Sequence, residues 1–336
     1  MFFKRLLYLL YFIKKTEFSK FLSDVSFSSK KIDKSFFFIF LDSFYSVFKY
    51  NISLEDYFIF SFFEKNSTER FKWAGTGYMY EYQKLMNKSD KVPSLEDKLI
   101  FLDKYSDFVH RKWFRIESQT DLEQAISFFK RSSSKKCVAK YSKGQTGSSV
   151  EVISIDEIED VSILYKHFVK NKYNLVEAFV TQCEYLNNIS SSGLNTIRII
   201  TQITKDGIVE ILGARLRLTV NSPVDNLSAG NFALALDSET GKAISSGIYM
   251  NIQKDNIERH PVSGVRIAEI KIPNWSEVRD FIHQVALLDT DLRSVGWDIA
   301  ISENSIELIE GNHNWGKTLY QLPINTGCKN ILETFK

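Results

Sequence analysis

Residues 294–312 read Ser294-Val295-Gly296-Trp297-Asp298-Ile299-Ala300-Ile301-Ser302-Glu303-Asn304-Ser305-Ile306-Glu307-Leu308-Ile309-Glu310-Gly311-Asn312. Two strand-like stretches, 295–302 and 305–311, flank a short polar connection, which predicts an antiparallel pair. If Ser302 pairs with Ile306, paired positions sum to a constant and Asp298 stands opposite Glu310. Cross-strand partners share a face, and Asn312, two residues further on, falls on it as well. Aspartate is disfavoured in strands and needs a reason to be there. Three hard oxygen-bearing side chains converging among Ile, Ala and Leu is how a protein holds magnesium against nucleotide phosphates. The alternative is an amphipathic hairpin whose Asp298 and Glu310 point to solvent.

Working outward, strands dominate the second half of the chain: Leu175–Val180, Thr196–Thr204, Ile208–Val220 and Phe232–Asp237, with Asp206-Gly207 a hairpin turn. Arg198, Arg215 and Arg217 alternate with Ile, Leu and Thr, presenting rigid forks suited to phosphate or carboxylate, or else a salt-bridged strand face. Upstream, Thr120 and Glu123 read as a capping box opening a helix, before strands at Cys137–Tyr141 and Val150–Ile155 and a helix at Ile158–Val169. Ser94, with Asp97 three residues on, reads as the cap of a helix through Leu99 and Leu102, and a further helix is expected at Ser276–Leu288. Residues 1–95 hold their Phe, Tyr and Leu in helical clusters. The layout is α+β with antiparallel hairpins, which disfavours a doubly wound nucleotide fold.

Lys140 closes the strand Val138-Ala139-Lys140 and is followed by Ser142-Lys143-Gly144-Gln145-Thr146-Gly147-Ser148-Ser149. A strand lysine beside a small-residue loop can neutralise phosphate oxygens while loop N–H groups close over them. The Gly-Lys-Ser/Thr ending of a P-loop is absent. A plain Gly/Ser hairpin turn is the competing reading.

At 336 residues the chain suits two or three subdomains sharing a cleft. Its net charge of +2, with no basic stripe, argues against a nucleic-acid partner. Cys137, Cys183 and Cys328 form no CxxC pair, which argues against zinc or a disulfide framework and fits a reducing cytoplasm. The apolar run Leu6–Ile13 lies between Lys4-Arg5 and Lys14-Lys15, too short to span a bilayer and lacking the small residues of a cleavage site. It reads as a buried aromatic helix, or as a basic aromatic helix lying peripherally on the inner membrane face.

Taken in order, these stretches resemble the ATP-grasp superfamily, and within it the sugar-transfer-associated family found with bacterial surface-polysaccharide genes. The resemblance is carried by Asp56-Tyr57, Glu69-Arg70, Val138-Ala139-Lys140 with its loop, Leu175–Val180, Asn195-Thr196-Ile197-Arg198, Arg217, Val224-Asp225-Asn226, His260-Pro261, Gly264, Ile272-Pro273, Trp275, Val295–Asp298 and Glu310-Gly311-Asn312. These cover roughly residues 50–320. It implies an ATP-grasp fold, two α+β subdomains gripping ATP between antiparallel sheets, a lid subdomain at 96–180 and a C-terminal subdomain at 181–336, behind a helical region at 1–95 whose start lies outside the match.

The resemblance also implies roles. Lys140 contacts the α- and β-phosphates under a flap that includes Gly144, Gln145, Gly147 and Ser148, and Glu177, Phe179 and Val180 belong to the hinge that reads adenine. Asp298, Glu310 and Asn312 bind two magnesium ions, Arg198 and Arg217 steady the transferring phosphoryl group and the acyl phosphate, and Asp225, Asn226 and His260 contact substrate. A second nucleotide lysine is expected upstream; Arg111 and Lys112 both stand there, and Lys112 is carried as the candidate. Two positions depart from the family pattern: Ala229-Gly230-Asn231 replaces paired glycines, and Cys183 stands where a histidine is common.

The activity so implied is an ATP- and magnesium-dependent carboxylate–amine ligase. Its expected substrates are a sugar carboxylate such as a uronic acid and an amino acid or amino sugar, joined during polysaccharide (capsule or O-antigen) synthesis in the cytoplasm. A kinase-like phosphotransferase and a non-catalytic nucleotide-binding component of an assembly complex are the alternatives.

Overall fold

The computed structural model describes residues 11, 16–132, 135–144 and 150–336. Most of the Leu6–Ile13 run, and Gln145, Gly147 and Ser148 of the expected flap, lie outside the described residues. Two antiparallel sheets organise the chain. The smaller has the order β1-β4-β2-β3, with β1 Trp113–Arg115, β2 Lys136–Lys140, β3 Val150–Ser154 and β4 Leu175–Ala178. The larger has the order β10-β9-β5-β6-β7-β8, with β5 Ile197–Ile203, β6 Val209–Leu218, β7 Phe232–Leu236, β8 Ile248–Tyr249, β9 Ser294–Ile301 and β10 Ile306–Asn312. The short β1 and β8 escape sequence reading because three and two residues are too few to show a period.

Side-chain alternation assigns the faces of the large sheet. Ile197, Ile199, Leu216, Val295, Trp297 and Ile299 turn to a core shared with Leu99, Leu102 and Tyr105 and with the helix Trp275–Leu287. On the opposite face Ile200 packs with Tyr82, Trp315, Tyr320 and Leu332, drawn from the helix Thr76–Met86 and the C-terminal segment. Arg198, Arg217 and Asp298, at the intervening positions, lie on this second face. Helices Gln119–Arg131 and Val161–Asn171 cover the small sheet through Leu122, Ile126, Phe129 and Phe168.

The first helices, Phe18–Lys31, Phe36–Tyr50 and Leu54–Ile59, build a separate aromatic core from Phe21, Tyr57, Phe58 and Phe62, which Met250, Ile252 and Leu322 also touch. Asp56 fastens this region to the rest: it accepts from Thr76 N and pairs with Lys317 at 2.8 Å. No described helix is long and apolar enough to cross a membrane. The three cysteines are buried and unpaired.

Two helix caps differ from expectation. Ser118 and Asp121, not Thr120 and Glu123, form the reciprocal box that opens Gln119–Arg131, because the shorter aspartate already reaches the Ser118 N–H. Asp97 caps Lys98–Lys104 by accepting from Leu99 N, while Ser94 lies inside the preceding short helix Pro93–Glu96. Pro93 starts that turn where the missing N–H costs nothing. The Asp206-Gly207 turn forms as read, with Gly207 at φ +80, a conformation that carries little penalty only for glycine.

The last hairpin closes differently from the sequence reading. Ser302 N donates to Ser305 O, so Ile301, not Ser302, pairs with Ile306. A bulge between Leu308 and Glu310 then shifts the register by one residue, and Glu310 stands opposite Asp298 with Asn312 opposite Gly296.

Candidate active site

Asp298 lies at the centre of three neighbouring strands, opposite Arg198 on β5 and Glu310 on β10. Arg198 grips it through Nε to Oδ1 and through Nη2 to Oδ2 at 2.7 Å. Arg217 approaches Oδ2 at 2.9 Å and holds Asp225 at 3.2 Å. Two guanidinium groups are thus interleaved with three carboxylates, the last being Glu310, whose Oε1 lies 4.0 Å from Arg198. Burial alone would raise the Asp298 carboxyl, but Arg198 and Arg217 outweigh it and hold it down at about 2. Glu310 behaves oppositely: desolvation and the adjacent Asp298 charge raise it, although its side chain stays 40% exposed. Gly296 makes the arrangement fit, because a Cβ there would stand 2.6 Å from Trp315 Cβ and 2.9 Å from Arg198 Cδ.

A second ionic network ties the sheets together. On the small sheet Lys140 pairs with Glu177. Arg111, entering β1, bonds Glu177 at 2.9 Å and Glu307 on β10 at 2.7 Å, and donates to the carbonyl oxygens of Leu308 and Ile309 at the bulge. Its Nε is buried without a partner among the described residues. Burial would raise Glu177, yet Arg111 and Lys140 hold it at about 2. Glu177 therefore acts through its carboxylate, as the clasp of Lys140 and Arg111; Phe179 and Val180 follow it, half-buried, on the connection from β4 to the large sheet, where Cys183 N donates to Ile301 O at 2.8 Å.

Lys98 is a site residue that sequence reading missed. Its Nζ donates to Gly144 O at the base of the loop, and its backbone N–H to Ser142 O at 3.0 Å. Burial lowers the ammonium, with Glu310, Lys140 and Glu177 among the charges that act on it. The Asp97-Lys98 pair was available in the sequence, but it reads there only as a helix start. Glu307 was missed for another reason: regular alternation places it with Ile309, and only the bulge puts it on the same face as Glu310.

Several expected residues lie elsewhere. Lys112 is exposed with its Nζ over the Phe114 ring at 5.3 Å, on the helix-covered side of the small sheet and away from Glu177. His260, expected at substrate, is enclosed: Nε2–H donates to Thr219 O at 2.9 Å, and Nδ1 accepts from Val262 N and Ser263 N. Both ring nitrogens are used inside the fold, which leaves none for a substrate. Asp225 is held by Thr196 N and Arg217, and Asn226 caps a turn by accepting from Ser228 N at 3.3 Å. Asn231, where a glycine was expected, closes that loop by accepting from Val220 N and donating to Val224 O and Asn226 O. Beyond the loop, Leu227, Ser228 and Gly230 line a cavity of about 430 Å³ with Lys20, Tyr249 and Lys254.

Among the described residues no group of three or more His, Cys, Asp or Glu is arranged to hold a metal. The oxygens of Asp298, Glu310 and Asn312 are nevertheless the hard donors magnesium takes. Asn312 donates its amide N–H to Glu310 and to Gly296 O, which leaves its oxygen for a cation. The raised Glu310 beside an ionised Asp298 is a pair of carboxylates that a divalent cation would relieve, so the residues fit the ion.

Two antiparallel sheets facing one another, with Lys140 on one, Lys98 on a helix beside it and a carboxylate pair on the other, define an ATP-grasp protein. Residues 78–336 match the family described as sugar-transfer associated ATP-grasp, and the chain belongs to that family. No curated protein matches it. Similar solved structures include D-cycloserine synthetase DcsG, at 10% identity and TM-score 0.45, covering 77% of this chain and 78% of that one. D-alanyl-alanine synthetase A from Vibrio cholerae O1 biovar eltor shares 13% identity at TM-score 0.43, covering 72% and 60%. The ADP complex of purK, an N5-carboxyaminoimidazole ribonucleotide synthetase, shares 10% identity at TM-score 0.41, covering 68% and 47%. The chain thus spans about half the length of the purK-type synthetases it resembles. Family membership rests on the match over residues 78–336.

Proposed function

We propose that the chain is an ATP-dependent carboxylate–amine ligase that joins a sugar carboxylate, such as a uronic acid, to an amino acid or amino sugar. The observation that supports this most is the Asp225–Arg217–Asp298–Arg198–Glu310 chain of charges facing Lys98 and Lys140 across the junction of the sheets. Lys140 and Lys98, rather than Lys112, would take the nucleotide phosphates, with the loop from Gly144 closing over them. Magnesium, held by Asp298, Glu310 and Asn312, would neutralise the phosphate oxygens.

Neither a carboxylate nor an amine couples unaided in water. Transfer of the γ-phosphoryl group to the carboxylate gives an acyl phosphate and ADP; attack by a free amine then forms the C–N bond as phosphate leaves and the nitrogen loses its proton. Arg198 and Arg217 stabilise charge on the phosphoryl group because Asp298 and Asp225 hold their planes fixed. The family's association with sugar transfer supports the reading that this chemistry serves surface-polysaccharide synthesis in the cytoplasm.

The test is mass spectrometry of products after incubation with ATP, magnesium, nucleotide-linked uronic acids and a pool of amines. An amide, formed with ADP release that requires both substrates, is expected. ADP release with a phosphorylated acceptor and no need for amine would replace this reading by a phosphotransferase. Absence of nucleotide turnover with every acceptor would leave a binding component.

A further inference from the structure

The helix Phe36–Tyr50 carries an outward face that the ligase reading does not use. Phe37 is 75% exposed, Leu41 65%, Tyr45 56% and Phe38 50%. At about 100° per residue, these four, together with the half-buried Phe48, fall within one narrow stripe. Lys34 precedes the stripe and Lys49 ends it, with Lys49 Nζ 5.3 Å from the Tyr45 ring. Asp42, the helix's own acid, points inward and is bound by Arg70 at 2.7 Å. The adjoining helix Phe18–Lys31 adds Phe18, stacked on Phe21, whose ring meets Phe40 and Phe44.

We infer that this face docks on an anionic lipid surface, with Phe37, Phe38, Leu41 and Tyr45 entering the headgroup boundary. Charge selects the occupant. Lys34 and Lys49 stand at the two ends of the stripe, and the helix's one acid, Asp42, is turned inward and neutralised by Arg70. Two copies apposed through the stripe would bring like charges together, while anionic headgroups complement them. A narrow aromatic stripe bordered by lysines is also the composition of helices that lie in a membrane interface. Docking is independent of the ligase reading, but it would have a consequence for it. Lys20, on the neighbouring helix, lines the cavity beside the Asp225 loop, so the substrate side of the cleft would be held close to the lipid plane.

The experiment is co-sedimentation of the full chain with vesicles of phosphatidylcholine alone and of phosphatidylcholine with phosphatidylglycerol, alongside sedimentation velocity without vesicles. Binding to the anionic vesicles that weakens with salt is expected. Phe37→Ser with Leu41→Ser should reduce it about tenfold while nucleotide binding in solution and the circular dichroism spectrum stay unchanged. Equal binding to neutral vesicles, or full binding by the double variant, would overturn the proposal. So would a dimer that the double variant dissociates, which would assign the stripe to a second copy.

Discussion

Arg111 and Glu307 meet at 2.7 Å, one residue entering the small sheet and the other on an outer strand of the large one. The same guanidinium holds Glu177, so a single side chain sets how the two sheets face each other. Replacing Arg111 by Met would leave the buried carboxylates of Glu177 and Glu307 without the guanidinium they share. We expect an unfolding free energy lower by about 3 kcal/mol or more, read from urea denaturation. A loss of only a few tenths would show that the bridge does not join the sheets.

Lys98 and Lys140, but not Lys112, should matter for nucleotide. Lys98→Met and Lys140→Met are each expected to weaken ATP binding by about tenfold or more, the order of one charge-assisted hydrogen bond. Lys112→Ala should stay near wild type. Calorimetric titration of the three variants decides it; a strong defect in Lys112→Ala alone would restore the sequence-based assignment.

Acid should unfold the protein through its two depressed carboxylates. Asp298 and Glu177 are held at about 2 in the folded chain, against ordinary values of 3.8 and 4.5. A carboxyl depressed in the folded state releases its proton more readily there, so its contribution is complete above the ordinary value and is lost as pH falls toward the folded one. Melting temperature should therefore drop steeply between about pH 4.5 and pH 2, and Asp298→Asn should flatten part of that slope. Glu310 works the other way. Its raised carboxyl loses stability as it ionises with rising pH, and magnesium should restore stability at neutral pH more than at pH 5. Equal stabilisation at both values would remove Glu310 from the cation site.

His260 should behave as a structural pin. His260→Ala leaves the Val262 and Ser263 N–H groups without their acceptor, and a stability loss of about 1–3 kcal/mol is expected. The Michaelis constants of the folded variant should change little. A large rise in KM for one substrate at unchanged stability would return His260 to the substrate site.

Gly296→Ala tests the packing behind the charge cluster. The added methyl group must displace Trp315 or Arg198, so turnover should fall together with stability. A fully active variant would show that Arg198 tolerates movement.

Much of this was legible in the sequence. Strand alternation located β5, β6, β9 and β10 to within about two residues, and it placed Asp298, Glu310 and Asn312 on one face. What sequence reading missed follows from features without a local signature. Lys112 is the candidate because the family resemblance calls for a lysine upstream of Lys140, but the pairing of β1 with β4 turns it to the helix side. Lys98 reaches the site by the path of its helix beneath the Gly144 loop, a long-range relation that no spacing encodes. His260-Pro261 reads as a polar loop motif, and its burial arises from the contact with Thr219. The register at the tip of the last hairpin was read one residue away, and the result at Asp298 still stood because Ile309 absorbed the difference.

That extra residue makes the end of the chain behave like text read in pairs. Removing one amino acid between Ile306 and Glu310 would invert everything downstream, turning Glu310 and Asn312 into the hydrophobic interior and Gly311 toward the nucleotide side. Lengthening the Ser302–Ser305 tip would leave that phase untouched. Sequence drift in this hairpin is therefore free in length at its exposed end and confined to substitution near its chemistry.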